Sequence, residues 1–191
     1  MQLTLVENFY SWARTVLFGN DIANGVEALD SVPYGSRPVL GVLKDTSGEE
    51  IPTIYFSSSQ LTGVGNCTLG FFKKENTVTN LLNVPVTFLV GNNNEAAQST
   101  DYQLKSPIET GITINGSVLH TAKYLCYSLT LVNTSTEEKT IGEIGLYKNL
   151  QIISSNSLSS YKNVLLGRAT LDIPEIIAPQ TSKTYQITLE L

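Results

Sequence analysis

Histidine and tryptophan each occur once in these 191 residues, cysteine only twice, and Asp, Glu, Lys and Arg together make up 15% of the chain. Each shortage excludes something. The single histidine, His120, stands between Leu119 and Thr121 with no second histidine or cysteine beside it, so it reads as a structural or exposed residue rather than a ligand. A Ser-His-Asp triad would have to use this same histidine, and no Gly-x-Ser-x-Gly elbow accompanies it. Cys67 and Cys126 read as free, buried structural thiols of a reducing compartment. Basic residues are also scarce: 12 Lys and Arg against 17 Asp and Glu leave a net charge of −5. The only adjacent basic pair, Lys73-Lys74, is followed directly by Glu75, which argues against nucleic-acid binding by charge. No apolar run approaches the length of a membrane-crossing helix. The first residues lack a basic segment followed by an apolar one, so no signal peptide is expected and folding in a cytoplasm is.

The search for reactive groups ends the same way. Glu49-Glu50 and Glu137-Glu138 are adjacent carboxylates, which point to opposite faces of a strand or to water in a turn, so neither forms a catalytic pair. Gly91-Asn92-Asn93-Asn94-Glu95 and Asp101 offer oxygen ligands but lack the spacing of a calcium loop and read as a polar loop. Gly63-Val64-Gly65 lacks the third glycine and following helix of a phosphate-binding turn. The expectation is therefore no enzyme: no catalytic residue, no metal and no cofactor.

What the chain does have is many short strand-like runs. Val39–Leu43 and Ile51–Phe56 flank a turn at Asp45-Thr46-Ser47-Gly48 and predict a hairpin. Cys67–Phe72 and Val84–Val90 read as strands, and Asp101–Leu104 as a short one. Asn115-Gly116 is a two-residue turn signal that would fold Ile112–Ile114 against Val118–Leu119. Tyr124–Val132, Ile141–Tyr147, Val164–Leu171 and Tyr185–Leu191 follow, the first two joined by a polar hairpin loop, Asn133–Lys139. Short strands at this spacing predict an all-β fold, an antiparallel β-sandwich of jelly-roll or immunoglobulin-like type, over residues 39–191. Residues 1–38 read as an N-terminal helix or arm with an irregular linker. Leu5, Phe9, Trp12 and Val16 recur at helical spacing over residues 1–18, Gly19-Asn20 would stop the helix, and a short strand could precede it. That apolar stripe is the candidate assembly contact, with docking on the protein's own core as the rival reading.

The C-terminal half carries a resemblance. Leu-Val-Asn-Thr-Ser at 131–135 is followed by Ile-Gly-Glu-Ile-Gly-Leu-Tyr at 141–147 and Leu-Leu-Gly-Arg-Ala-Thr-Leu at 165–171, then by a Pro-containing turn and a last alternating strand. Val90-Gly91, Asp101-Tyr102-Gln103-Leu104 and Pro107-Ile108 precede them. This order of motifs resembles a group of tailed-bacteriophage structural proteins. It covers roughly residues 84–191, and Gln180 stands where that group has a turn glycine. The resemblance implies a virion component with a β-sandwich body, made and assembled in the host bacterial cytoplasm. It would act as a repeated subunit of the head–tail connector, tail ring or capsid surface. Its partners would be copies of itself and portal, capsid or tail subunits. The alternative is a carbohydrate- or host-receptor-binding sandwich.

Overall fold

The structure is a computed structural model that describes residues 1–24, 35–56, 87–120, 124–153 and 159–190. Among the described residues the fold is all-β with one helix. In chain order the elements are β1 (Thr4–Leu5), α1 (Glu7–Asn24), β2 (Gly35–Pro38), β3 (Thr53–Phe56), β4 (Thr87–Gly91), β5 (Ile112–His120), β6 (Tyr124–Asn133), β7 (Lys139–Ile153), β8 (Ser159–Ile177) and β9 (Ser182–Glu190). They form sheets ordered β1-β8-β7-β4, β5-β6-β9 and β2-β3, and every strand pairing whose register is defined is antiparallel.

The chain forms two compact units. The first comprises Met1–Val6, Phe88–Leu146 and Gly167–Leu191, and the second Glu7–Thr87 and Tyr147–Leu166. The division expected at residue 38 does not coincide with them. Residues 1–6 belong with the late strands because Thr4 and Leu5 pair with Arg168 and Gly167, and Gln2 bridges Thr188. Gly167 leaves room there for Leu3, whose side chain would otherwise meet a Cβ at 2.9 Å.

In the first unit, β6 and β9 alternate as half-buried strands should. Tyr127, Leu129 and Leu131 on β6 are buried, as are Tyr185, Ile187 and Leu189 on β9. Residues 141–147 of β7 are buried without alternation, the mark of a strand covered on both faces. Phe88 on β4 meets Tyr127 edge to face, with ring centroids 4.9 Å apart. Burial pushes the Tyr127 hydroxyl up to about 12.

Several connections differ from the sequence reading. Asn115-Gly116 makes no turn: β5 is one nine-residue strand paired with β6 throughout. Gly116 lies opposite Leu129, and a Cβ there would meet the leucine Cδ2 at 2.8 Å, so the glycine serves cross-strand packing. Asn133–Lys139 is no hairpin loop either, since β6 and β7 lie in different sheets. Asp101–Leu104 is not a strand.

The same sheet-to-sheet step is made by Ala178–Thr181 between β8 and β9, and the two steps are tied together. Asn133 donates its side-chain amide to Glu137 O at 2.7 Å and Ile177 O at 2.9 Å, while its carbonyl oxygen accepts from the Ser135 N–H and hydroxyl. Its backbone N–H reaches Thr181 O at 2.9 Å. Gln180 donates to the carbonyls of Thr134 and Ser135. It also has φ 57°, the left-handed conformation that glycine adopts freely.

In the second unit, α1 runs on through Gly19-Asn20 to Asn24. Leu5 is not on it: it lies in β1, ahead of the helix. Among the described side chains of α1 the buried ones are Asn8, Ser11, Trp12 and Thr15, a face displaced from the apolar stripe. The cause is polar. Asn8 exchanges two hydrogen bonds with the backbone of Lys44, at 2.8 and 2.9 Å. Thr15 accepts from Leu40 N–H at 2.8 Å and donates to Ser11 O. Buried backbone groups need such partners, and the helix supplies them. A hairpin forms around the predicted turn, but its first strand is β2, within the stretch read as irregular linker, and Val39–Leu43 is not a strand. Between β2 and Lys44 the chain bulges at Gly41, whose φ of 125° suits glycine and whose α-carbon lies against Ser11. The predicted strand Cys67–Phe72, Gly63–Gly65 and the basic pair Lys73-Lys74 lie outside the described residues.

Candidate functional site

The densest grouping of polar side chains is a buried ion cluster in the first unit, built from the residues that carry the resemblance. Arg168 on β8 and Glu143 on β7 are both fully buried. Arg168 Nε donates to Glu143 Oε2 at 2.6 Å, Nη1 to Asp101 Oδ2 at 3.0 Å and Nη2 to Asn93 Oδ1 at 3.2 Å. The guanidinium fork thus donates to three separate oxygen acceptors in its own plane-fixed geometry, which a lysine could not do.

Each acid is further satisfied. Glu143 accepts the backbone N–H groups of Ser106 at 2.7 Å and Lys105 at 3.1 Å. Asp101 accepts the Gln98 N–H at 2.9 Å and pairs with Lys105 Nζ at 3.0 Å. Burial works against ionisation of Asp101, but the Gln98 N–H, Lys105 and Arg168 outweigh it and hold its carboxyl below the usual range. Glycines make the space. A Cβ at Gly91 would collide with the Glu143 carboxylate and the Ser106 carbonyl. A Cβ at Gly142 would stand 2.6 Å from the Asn93 carbonyl oxygen.

The oxygens of Asn93 and Asp101, read from the sequence as possible calcium ligands, converge on a guanidinium instead. Both carboxylates have hydrogen-bond partners in place. Among the described residues no three His, Cys, Asp or Glu side chains gather to hold a metal ion. No described helix is long and apolar enough to cross a membrane.

A second, smaller ion group lies in the second unit. Asp45 Oδ1 accepts from Ser47 N–H, Ser47 Oγ and Glu49 N–H, closing the turn read from the sequence. Lys162 on β8 reaches Asp45 Oδ2 at 2.6 Å and Glu49 Oε2 at 2.9 Å. Burial opposes ionisation of Asp45, yet the bonds from Lys162, Ser47 and Glu49 together lower it from 3.8 to about 2. A depressed carboxyl stabilises the fold above its unfolded value and loses that contribution as pH falls toward the folded one. Wild-type stability, followed by urea unfolding, should therefore decline between about pH 4 and pH 2. Asp45→Asn should lower stability at neutral pH and flatten that decline. An unchanged slope in the variant would refute the role given to Asp45.

The four sequence-predicted contact residues are not brought onto one surface stripe. Trp12 is only 1% exposed. Phe9 and Leu5 are half-buried, on α1 and β1 respectively. Val16 lies on α1, and its side chain is outside the described set. Phe9 stacks at a tilt on Trp12, with centroids 6.2 Å apart, and Lys148 Nζ lies 6.0 Å from the Trp12 ring. His120 ends β5, opposite Leu125. Cys126 is a free, half-buried thiol that donates to Gln186 Oε1 at 3.1 Å. Sequence reasoning missed Arg168 and Glu143 as a pair, although charged residues inside otherwise apolar strands were the available signal. Comparison with protein-family models, with curated proteins and with solved structures returns no match.

Proposed function

We propose that this chain is a non-enzymatic structural subunit of a tailed-bacteriophage virion. It would assemble as a repeated subunit in the head–tail connector or tail ring, or on the capsid surface. Its neighbours would be further copies of itself and portal, capsid or tail proteins. The observation that carries the reading is the fate of the motif residues on which the resemblance rests. Gly91, Asp101, Glu143 and Arg168 serve one buried network, and Asn133 and Gln180 serve one corner. Motifs whose buried charged residues serve the fold support a scaffold reading, in which the product is the surface.

The finer fold belongs to the same proposal. The buried faces of β6 and β9, the doubly covered β7 and the Phe88–Tyr127 contact suit two sheets packed face to face as a β-sandwich. Electron microscopy and mass spectrometry of the source particle test the function directly. The chain is expected at a repeated, symmetry-related position. Its absence from purified particles, together with specific retention on a glycan array, would replace this reading with a sugar-binding one.

A further inference from the structure

Sheet edges attract partners unless something blunts them, and this molecule blunts its edges unevenly. The edge at β9 is lined by the N-terminal segment: Leu3 N–H bonds to Thr188 O and Thr188 N–H to Met1 O. The edge at β4 is covered by residues 106–108, through Ile108 N–H to Val90 O and Asn92 N–H to Ser106 O. Along β8 the edge carries the two-residue β1 and then Pro174, which cannot donate. β5 has none of these devices. It is nine residues long, Ile112-Thr113-Ile114-Asn115-Gly116-Ser117-Val118-Leu119-His120, with no proline, lysine or acidic residue. Among the described residues nothing pairs with its outer side.

We propose that β5 is an interface strand whose occupant is β5 of a second copy of this chain, added antiparallel about a two-fold axis at Gly116. The argument is self-complementarity. In that register Ile114 faces Val118 of the partner subunit, and Asn115 faces Ser117 of the partner subunit. At these central pairs apolar meets apolar and polar meets polar, because residues 114–118 read nearly the same from both ends; the outer pairs, Thr113 with Leu119 and Ile112 with His120, do not share the match. The faces agree as well. By register, Ile114, Gly116 and Val118 pair with Leu131, Leu129 and Tyr127, the buried face of β6; Thr113, Asn115 and Ser117, and Gly116 as well, are exposed. Ile112 and Ile114 remain half-exposed, as apolar side chains at an edge do when no next strand covers them. The partner's strand would continue the apolar face across six strands. The pairing is also free of charge repulsion, which matters between two copies that each carry −5. A two-fold pairing of this kind is closed and isologous.

The inference does not rest on the virion reading and is tested on the purified chain alone. Sedimentation equilibrium at protein concentrations approaching about 1 mM should show a monomer–dimer equilibrium. The double substitution Asn115→Lys with Ser117→Lys places like charges opposite each other twice across the axis and should weaken association at least about tenfold, at pairs of residues whose like charges destabilise a sheet. Asn115→Lys with Ser117→Glu places opposite charges there and should restore it. Amide exchange of the unsubstituted protein gives an independent readout. Protection along Thr113–Val118 should rise with concentration. A monomer at every concentration, association indifferent to the paired lysines, or concentration-independent protection of both sides of β5 would each overturn the proposal. The last would show that the chain covers this edge itself.

Discussion

Replacing Arg168 with alanine is expected to destabilise the protein by about 3–5 kcal/mol, the usual cost of breaking a buried ion pair from one side. Arg168 and Glu143 are fully buried, and Asp101 is nearly so. Removing the guanidinium leaves two carboxylates and the Asn93 carbonyl oxygen facing a space that no protein cation fills. Lys105 stays on Asp101, and the N–H groups of Lys105 and Ser106 stay on Glu143, so the loss is severe but not total. Whole-domain stability is commonly only 5–15 kcal/mol, so the variant should unfold at much lower urea, or fail to fold at all. Arg168→Lys keeps the charge but not the three-way fork, and should recover only part of the loss. Glu143→Gln separates charge from shape: it keeps the hydrogen-bonding outline and should cost less than Arg168→Ala. Equilibrium urea unfolding measures all three. A cost below about 1 kcal/mol for Arg168→Ala would mean that the cluster is not holding the fold, since that is the scale of an exposed pair.

The cluster also marks where sequence reading succeeded and where it stopped. The strands were legible because their chemistry is local. Tyr124–Val132 and Tyr185–Leu189 alternate, and residues 141–147 form a continuous apolar run around Glu143. Partners were not legible. Asn115-Gly116 favours a turn when it stands alone, but a nine-residue ladder to β6 overrides that preference, and Leu129 uses the missing Cβ. The Asn133–Lys139 loop looks like a hairpin because it is short and polar. That it changes sheets depends on Asn133 bonding to Ile177, 44 residues away. The resemblance placed Asp101, Glu143 and Arg168 in separate motifs, and only the fold brings them to one guanidinium. Gln180 was singled out as an odd residue in a glycine position, and its φ of 57° gives that oddity a geometry.

The helix taught the opposite lesson, because there the apolar pattern was a poor guide to the buried face. Spacing put Leu5, Phe9, Trp12 and Val16 on one stripe. Asn8 and Thr15 instead turn α1 so that their side chains serve the backbone of residues 40–44, and of Leu5, Phe9 and Trp12 only Trp12 is fully buried. Trp12→Ala is therefore expected to cost about 3–5 kcal/mol, the range for deleting a large buried aromatic. Phe9→Ala, at a half-buried site, should cost distinctly less. Trp12 is the only tryptophan, so its fluorescence reports the second unit specifically in the unsubstituted protein. Far-ultraviolet circular dichroism during thermal unfolding is the common measure for the variants. The rival reading, an arm that docks on a neighbouring subunit, makes the reverse forecast. Under it, Trp12→Ala would melt like the parent protein while failing to enter particles, and deleting residues 1–18 would leave a folded chain. The burial of Leu3, Val6 and Trp12, and the pairing of Thr4 with Arg168, predict that this deletion instead unfolds or aggregates the protein. A truncated chain with an unchanged melting transition would reverse the assignment of this segment from core to arm.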